Sequence, residues 1–128
     1  LIRLKLNSKL KRQFMLQFML IFHGGLTDTH PDGPDAMQSQ MGKWLAWVEK
    51  LQKSGQYVSG EPLLPGGKLV TGPDVVTDGP YTEGKDVVGG YFIVNARDYD
   101  DAIAITRDYP DFELGGTVQI REVMRVDM

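Results

Sequence analysis

The residues that can do acid–base chemistry gather in one short stretch. Asp78, Glu83 and Lys85 fall within residues 76–92, VTDGPYTEGKDVVGGYF, ahead of a run of strong strand formers. Two carboxylates and an ammonium on a stiff connection can hold a ligand or move a proton. His23 closes an apolar run and is followed by Gly24 and Gly25, where an imidazole can line a pocket and exchange a proton near neutrality. With His23 as general base, Asp78 as its orienting partner and Tyr81 or Lys85 as a polarising donor, the set would serve isomerase- or lyase-type chemistry on a small organic substrate. A second reading of the same stretch is purely structural. Asp bonds its own downstream backbone, Gly accepts positive φ and Pro fixes the exit, so Asp78-Gly79-Pro80 reads as a tight turn pinned by Glu83 and Lys85. The expected catalytic pair is His23 and Asp78, and the expected ligand-binding residues are Tyr81, Glu83, Lys85, Trp44 and Tyr91. His30 sits in a polar loop with Pro31 and Pro34 and reads as solvated.

Composition narrows the chemistry. The chain has 128 residues, 41% of them hydrophobic and 24% charged, which fits one globular domain with a sizeable core. It has no cysteine, so disulfides, thiolate catalysis and cysteine-ligated zinc are excluded, and a reducing cytoplasm is the expected setting. Two histidines and scattered acids without tight spacing specify no metal, and no cofactor is expected. The Gly-Gly pairs at 24–25, 66–67, 89–90 and 115–116 lack the spacing and the Lys-Ser/Thr ending of a phosphate loop. A net charge of −3 gives no basic footprint for direct nucleic-acid binding. No apolar run approaches the roughly 20 residues that span a bilayer, so no membrane partner is expected.

The elements that must position these residues follow from periodicity. Residues 1–12, LIRLKLNSKLKR, hold five of the fourteen Lys and Arg residues and no acid. They are expected to be an appendage outside a single domain over 13–128. Residues 14–22, FMLQFMLIF, predict a core strand covered on both faces. A helix is expected from Pro34 or Asp35 to about Ser54, with Met37, Met41, Trp44, Leu45, Val48 and Leu51 as its apolar stripe, Trp47 beside it, and Gly55 as its stop. Strands are expected at 57–64 and 87–95, with a hairpin (68–71 and 75–77) between them. A second helix is expected over 98–107 and a last strand over 117–126. The order is β-α-β-β-α-β with a hairpin insertion, that of a ferredoxin-like α+β fold with two helices on one sheet face. The other face would be bare in a monomer, so a homodimer that packs two sheets together is expected.

The run VTDGPYTEGKDVVGGYFIV resembles the DGPF-type branch of the YCII-related domain family. Asp78, Gly79, Pro80, Tyr81, Glu83, Lys85, Gly89, Gly90 and Tyr91 stand at positions matching its pattern. The segments FMLIFHGG, WVEKLQKSG and GGTVQIREV are similar as well, so the resemblance spans about 14–124 in order. It implies a dimeric α+β barrel. It also implies that enzyme-like members use a His–Asp pair with the His in the first helix. Here that helix has no His, and Gln40 sits near the place where it would stand. Such proteins are often linked with transcription-factor partners. The reading is therefore a small-molecule-binding dimer, accessory or regulatory, with the His23-based enzyme as the alternative.

Overall fold

A computed structural model describes residues 15–79 and 84–126. The described chain builds β1 (Leu16–His23), α1 (Gly33–Lys53), β2 (Tyr57–Pro62), β3 (Gly67–Gly72), β4 (Val75–Gly79), β5 (Val88–Ala96), α2 (Tyr99–Ile105) and β6 (Thr117–Glu122). Four strands form one sheet in the order β2-β5-β1-β6, every neighbouring pair antiparallel. Among the described residues, β3 and β4 pair only with each other, as a separate two-stranded sheet. This is the ferredoxin-like α+β arrangement expected from the element order, with the hairpin inserted between the second and third strands of the main sheet.

Alternation along the strands decides which face is which. Phe18, Leu20 and Phe22 of β1 and Phe92, Val94 and Ala96 of β5 are buried and face the helices, joined by Val118 and Ile120 of β6. Met19, Ile21, Tyr91 and Ile93 take the opposite face and are half-buried. The expectation that β1 is covered equally on both faces therefore holds for one face only in the single chain.

α1 has Pro34 and Asp35 in its first turn and Lys50 and Lys53 in its last, in keeping with the helix dipole. Its end is a Schellman turn. Gly55 takes φ 75°, its N–H bonds to the Gln52 carbonyl, and the Gln56 N–H bonds to the Leu51 carbonyl. α2 starts at Asp98, whose carboxylate accepts the Asp101 N–H at 2.8 Å, while the Asp101 carboxylate reaches back to the Arg97 N–H at 3.0 Å. The helix is shorter than expected, because after Ile105 the backbone tightens into 3₁₀ turns at Thr106–Asp108 and Pro110–Leu114.

The buried side of α1 also differs from the expected stripe. Gln40, Trp47 and Leu51 are buried, whereas Met41 and Leu45 are 46% and 69% exposed. The reason is a cleft under this part of the helix. Its apolar side chains line a space instead of filling a core.

Two further expectations change. Asp78-Gly79 is not a turn but the end of β4, in register with Lys68 and Gly67, and Gly79 has no positive φ. The last strand stops at Glu122, and Met124 and Val126 beyond it are exposed.

Candidate functional site

The site is built around Phe22, at the end of β1. Its ring meets Trp44 at 5.1 Å, Phe92 at 4.9 Å and Trp47 at 5.8 Å between centroids, and stacks on Tyr109 at 5.3 Å. The rings of Phe22, Trp44, Phe92 and Tyr109 form one wall of a half-enclosed cleft of about 480 Å³, with Trp47 packed behind them. Met41, Leu45 and Val48 of α1 form its roof, and Tyr57, Gly60 to Leu63, Gly89 and Gly90 form the opposite side. A cleft of this volume, mainly apolar with a few convergent polar groups, is the usual form of a small-molecule site.

The polar group at its inner end is Asp111, which is 3% exposed. One carboxylate oxygen accepts from the Gln40 amide and from the Trp44 indole N–H, both at 2.8 Å. The other accepts from the Leu26 backbone N–H at 2.9 Å. The Gln40 amide nitrogen also donates to the Pro110 carbonyl at 2.9 Å. Gly25 makes the arrangement possible. With φ 64° it brings the backbone so close that a Cβ there would lie 2.5 Å from the Asp111 carboxylate. Gly25 thus cradles a carboxylate of the chain itself, while Gly24 lies against the Lys85 backbone.

Tyr109 is buried beside Asp111, and its hydroxyl has no hydrogen-bond partner among the described residues. Burial, and then the Asp111 charge, push its phenol well above the usual tyrosine range. Tyr57, on the opposite wall, is also raised, by burial first and then by Glu61 and Tyr91.

The expected site residues scatter around this cleft. Trp44 lines it and bonds to its carboxylate. His30, read as solvated, lies at its mouth and is exposed. His23 points to the opposite face of the sheet, where Nδ1 donates to the Asp86 carbonyl at 2.9 Å and Nε2 lies 3.2 Å from the Gln119 side-chain amide. Tyr91 shares that face, in register with Ile21. Asp78 is exposed on the hairpin and ion-paired with Lys68. His23 and Asp78 therefore have separate partners and form no dyad in this arrangement. Lys85 is exposed in the 3₁₀ turn Gly84–Asp86, whose backbone packs against Gly24, and is not among the residues lining the cleft. Tyr81 and Glu83 lie outside the described residues.

A family model for the YCII-related domain matches residues 21–127. The chain belongs to the YCII-related domain family. The match runs from the end of β1 through the last strand and so contains both polar partners of the cleft. A search of curated proteins found no match. Within this YCII-related domain, Gln40, near the place where the resemblance implies a histidine, has Asp111 as its partner. The sequence reading missed Asp111. Its only signal was an acid in Pro110-Asp111, just after the second helix, within reach of a buried polar residue on the first. Among the described residues no cluster of three or more His or acidic groups could hold a metal ion, and no helix is long and apolar enough to cross a membrane.

Proposed function

We propose that this YCII-related domain is a small-molecule-binding module of the DGPF-type branch, working as a homodimer in an accessory or regulatory role in the cytoplasm. The observation that carries the reading is the pairing of Gln40 with Asp111 at the inner end of an aromatic cleft. An amide cannot take up and return a proton at neutral pH, so Gln40 cannot be the base that a histidine there would supply, and it braces Asp111 from behind the lining of the cleft. All three hydrogen bonds to Asp111 come from N–H donors, which commits the carboxylate to holding the cleft in shape. The alternative, an isomerase- or lyase-type enzyme with His23 as base, requires a substrate on the opposite sheet face, where both ring nitrogens of His23 are already in contact with oxygens.

The homodimer reading rests on that same face. Met19, Ile21, Tyr91 and Ile93 form an apolar centre flanked by Gln17, Asn95, Gln119 and Arg121. A second copy packed on it would remove this surface from water.

The test of binding is fluorescence of the neutral probe N-phenyl-1-naphthylamine titrated with the protein, alongside Val48→Trp, which fills the cleft. Enhancement with the native chain and its loss in the variant are expected. An equal signal from both proteins would place the probe elsewhere and remove the support for a ligand site in the cleft.

A further inference from the structure

We infer that the cleft selects ligands carrying a positive charge, of the class of aryl-alkyl ammonium compounds, over anionic ones with the same body. The inference rests on the small-molecule-binding reading and adds the charge of the ligand to it.

The lining supplies the argument. Phe22, Trp44, Tyr57 and Phe92 present aromatic surface to the space, and such surface attracts a cation through the ring quadrupole. Its two acids are Asp111 at the inner end and Glu61 at the edge strand. Among the described lining residues there is no Lys or Arg, and His30 at the mouth is the one side chain that can carry a positive charge. Asp111 is buried, and its bonded partners, an amide, an indole and a backbone N–H, are all neutral. None of these partners brings a positive charge to the carboxylate, and attraction between it and a cation is stronger in a site shielded from water than on the surface. The two wall tyrosines register the same field. Tyr109 is raised by burial and then by Asp111, and Tyr57 by burial and then by Glu61. An ammonium group in the cleft would find an acid at either end and aromatic side chains between them. A carboxylate or phosphate of equal size would meet the acids as like charges and find no described lysine or arginine.

The experiment is displacement of bound N-phenyl-1-naphthylamine by three compounds of matched body: 2-phenylethylamine, 2-phenylethanol and phenylacetate, at pH 7 and low salt. The amine is expected to displace the probe at a concentration about tenfold lower than the acid, with the alcohol between them. Glu61→Lys, an exposed substitution that leaves Asp111 in place, is expected to shrink that gap. If the probe binds but phenylacetate competes as well as the amine, the charge inference fails and the binding reading stands. A gap unchanged by Glu61→Lys also overturns it, because the lining charge would then not decide the preference. If the native chain does not bind the probe, both fall together.

Discussion

Gln40 on the first helix donates to the buried carboxylate of Asp111 at 2.8 Å, joining positions 71 residues apart in the chain. Its amide nitrogen also holds the Pro110 carbonyl, so one side chain fixes the 3₁₀ turn that carries the carboxylate. Gln40→Ala should cost about 1–3 kcal/mol in urea denaturation, because it strips donors from buried acceptors. Gln40→Glu should set two carboxylates against each other and raise the pKa of one above the ordinary range. The folded state then binds more protons than the unfolded chain, so this variant should gain stability as pH falls from 7 to 5. A flat profile would mean that Gln40 and Asp111 are not in contact.

Tyr109 gives the opposite expectation. Its buried hydroxyl has no partner among the described residues, so removing it takes away a desolvated group and no bond. Tyr109→Phe should match the native chain or exceed it by up to about 1 kcal/mol in thermal or urea unfolding. A loss of that size would show that the hydroxyl is satisfied in solution.

Asp101 predicts a pH dependence at the start of α2. The Arg97 backbone N–H holds its carboxylate below the usual aspartate range, opposed by partial burial and assisted by the Arg97 side chain. The folded state therefore binds this proton less tightly than the unfolded chain. Its contribution is complete above the unfolded value of about 3.9 and is lost as pH falls through the lowered folded value. Asp101→Asn should be less stable than the native chain at pH 7, and the difference should close between about pH 4 and pH 2. A difference that stays constant over that range would assign the effect to shape and not charge.

The open sheet face tests the homodimer. Ile21 and Ile93 lie on it, on neighbouring strands. Sedimentation of the native chain at micromolar concentration should give a dimer, and Ile93→Lys should give a folded monomer. A native monomer would remove the proposal.

Asp78 should matter little to stability. Its described partner is Lys68 across the hairpin, in a pair whose side chains are 68% and 86% exposed. Surface pairs of this kind contribute roughly 0–1 kcal/mol. Asp78→Asn and Asp78→Ala should therefore melt close to the native chain. A selective loss of probe binding in Asp78→Asn would instead return this residue to the ligand.

The framework was legible because period and punctuation agreed. FMLQFMLIF, VVGGYFIV and the Gly55 stop each carry a local signal that the packing does not override. Gln40 also drew notice in the sequence, as a glutamine near the place where the family resemblance implies a histidine. Three features were not legible. The apolar stripe of α1 through Met41 and Leu45 has the same helical spacing whether it faces a filled core or a cleft, and periodicity measures only that it faces inward. Asp111 lies in a single 3₁₀ turn, too short for any pattern, and its burial depends on donors far away in sequence. Asp78-Gly79 has turn-forming residue types, but pairing with Gly67 and Lys68 extends the strand through them.

The separate hairpin has a dynamic consequence. Among the described residues β3 and β4 pair only with each other, and Val70, Val75 and Val76 are more than half exposed, so little described buried area resists their parting. Their amides should exchange with solvent deuterium through a local opening, on a much faster clock than those of β1 and β5. Fluorescence from Trp44 and Trp47, both in the aromatic cluster, would register nothing of that opening. A melting curve followed by that fluorescence would therefore report the main sheet and its helices, and two relatives with identical curves could differ entirely in the β3–β4 hairpin.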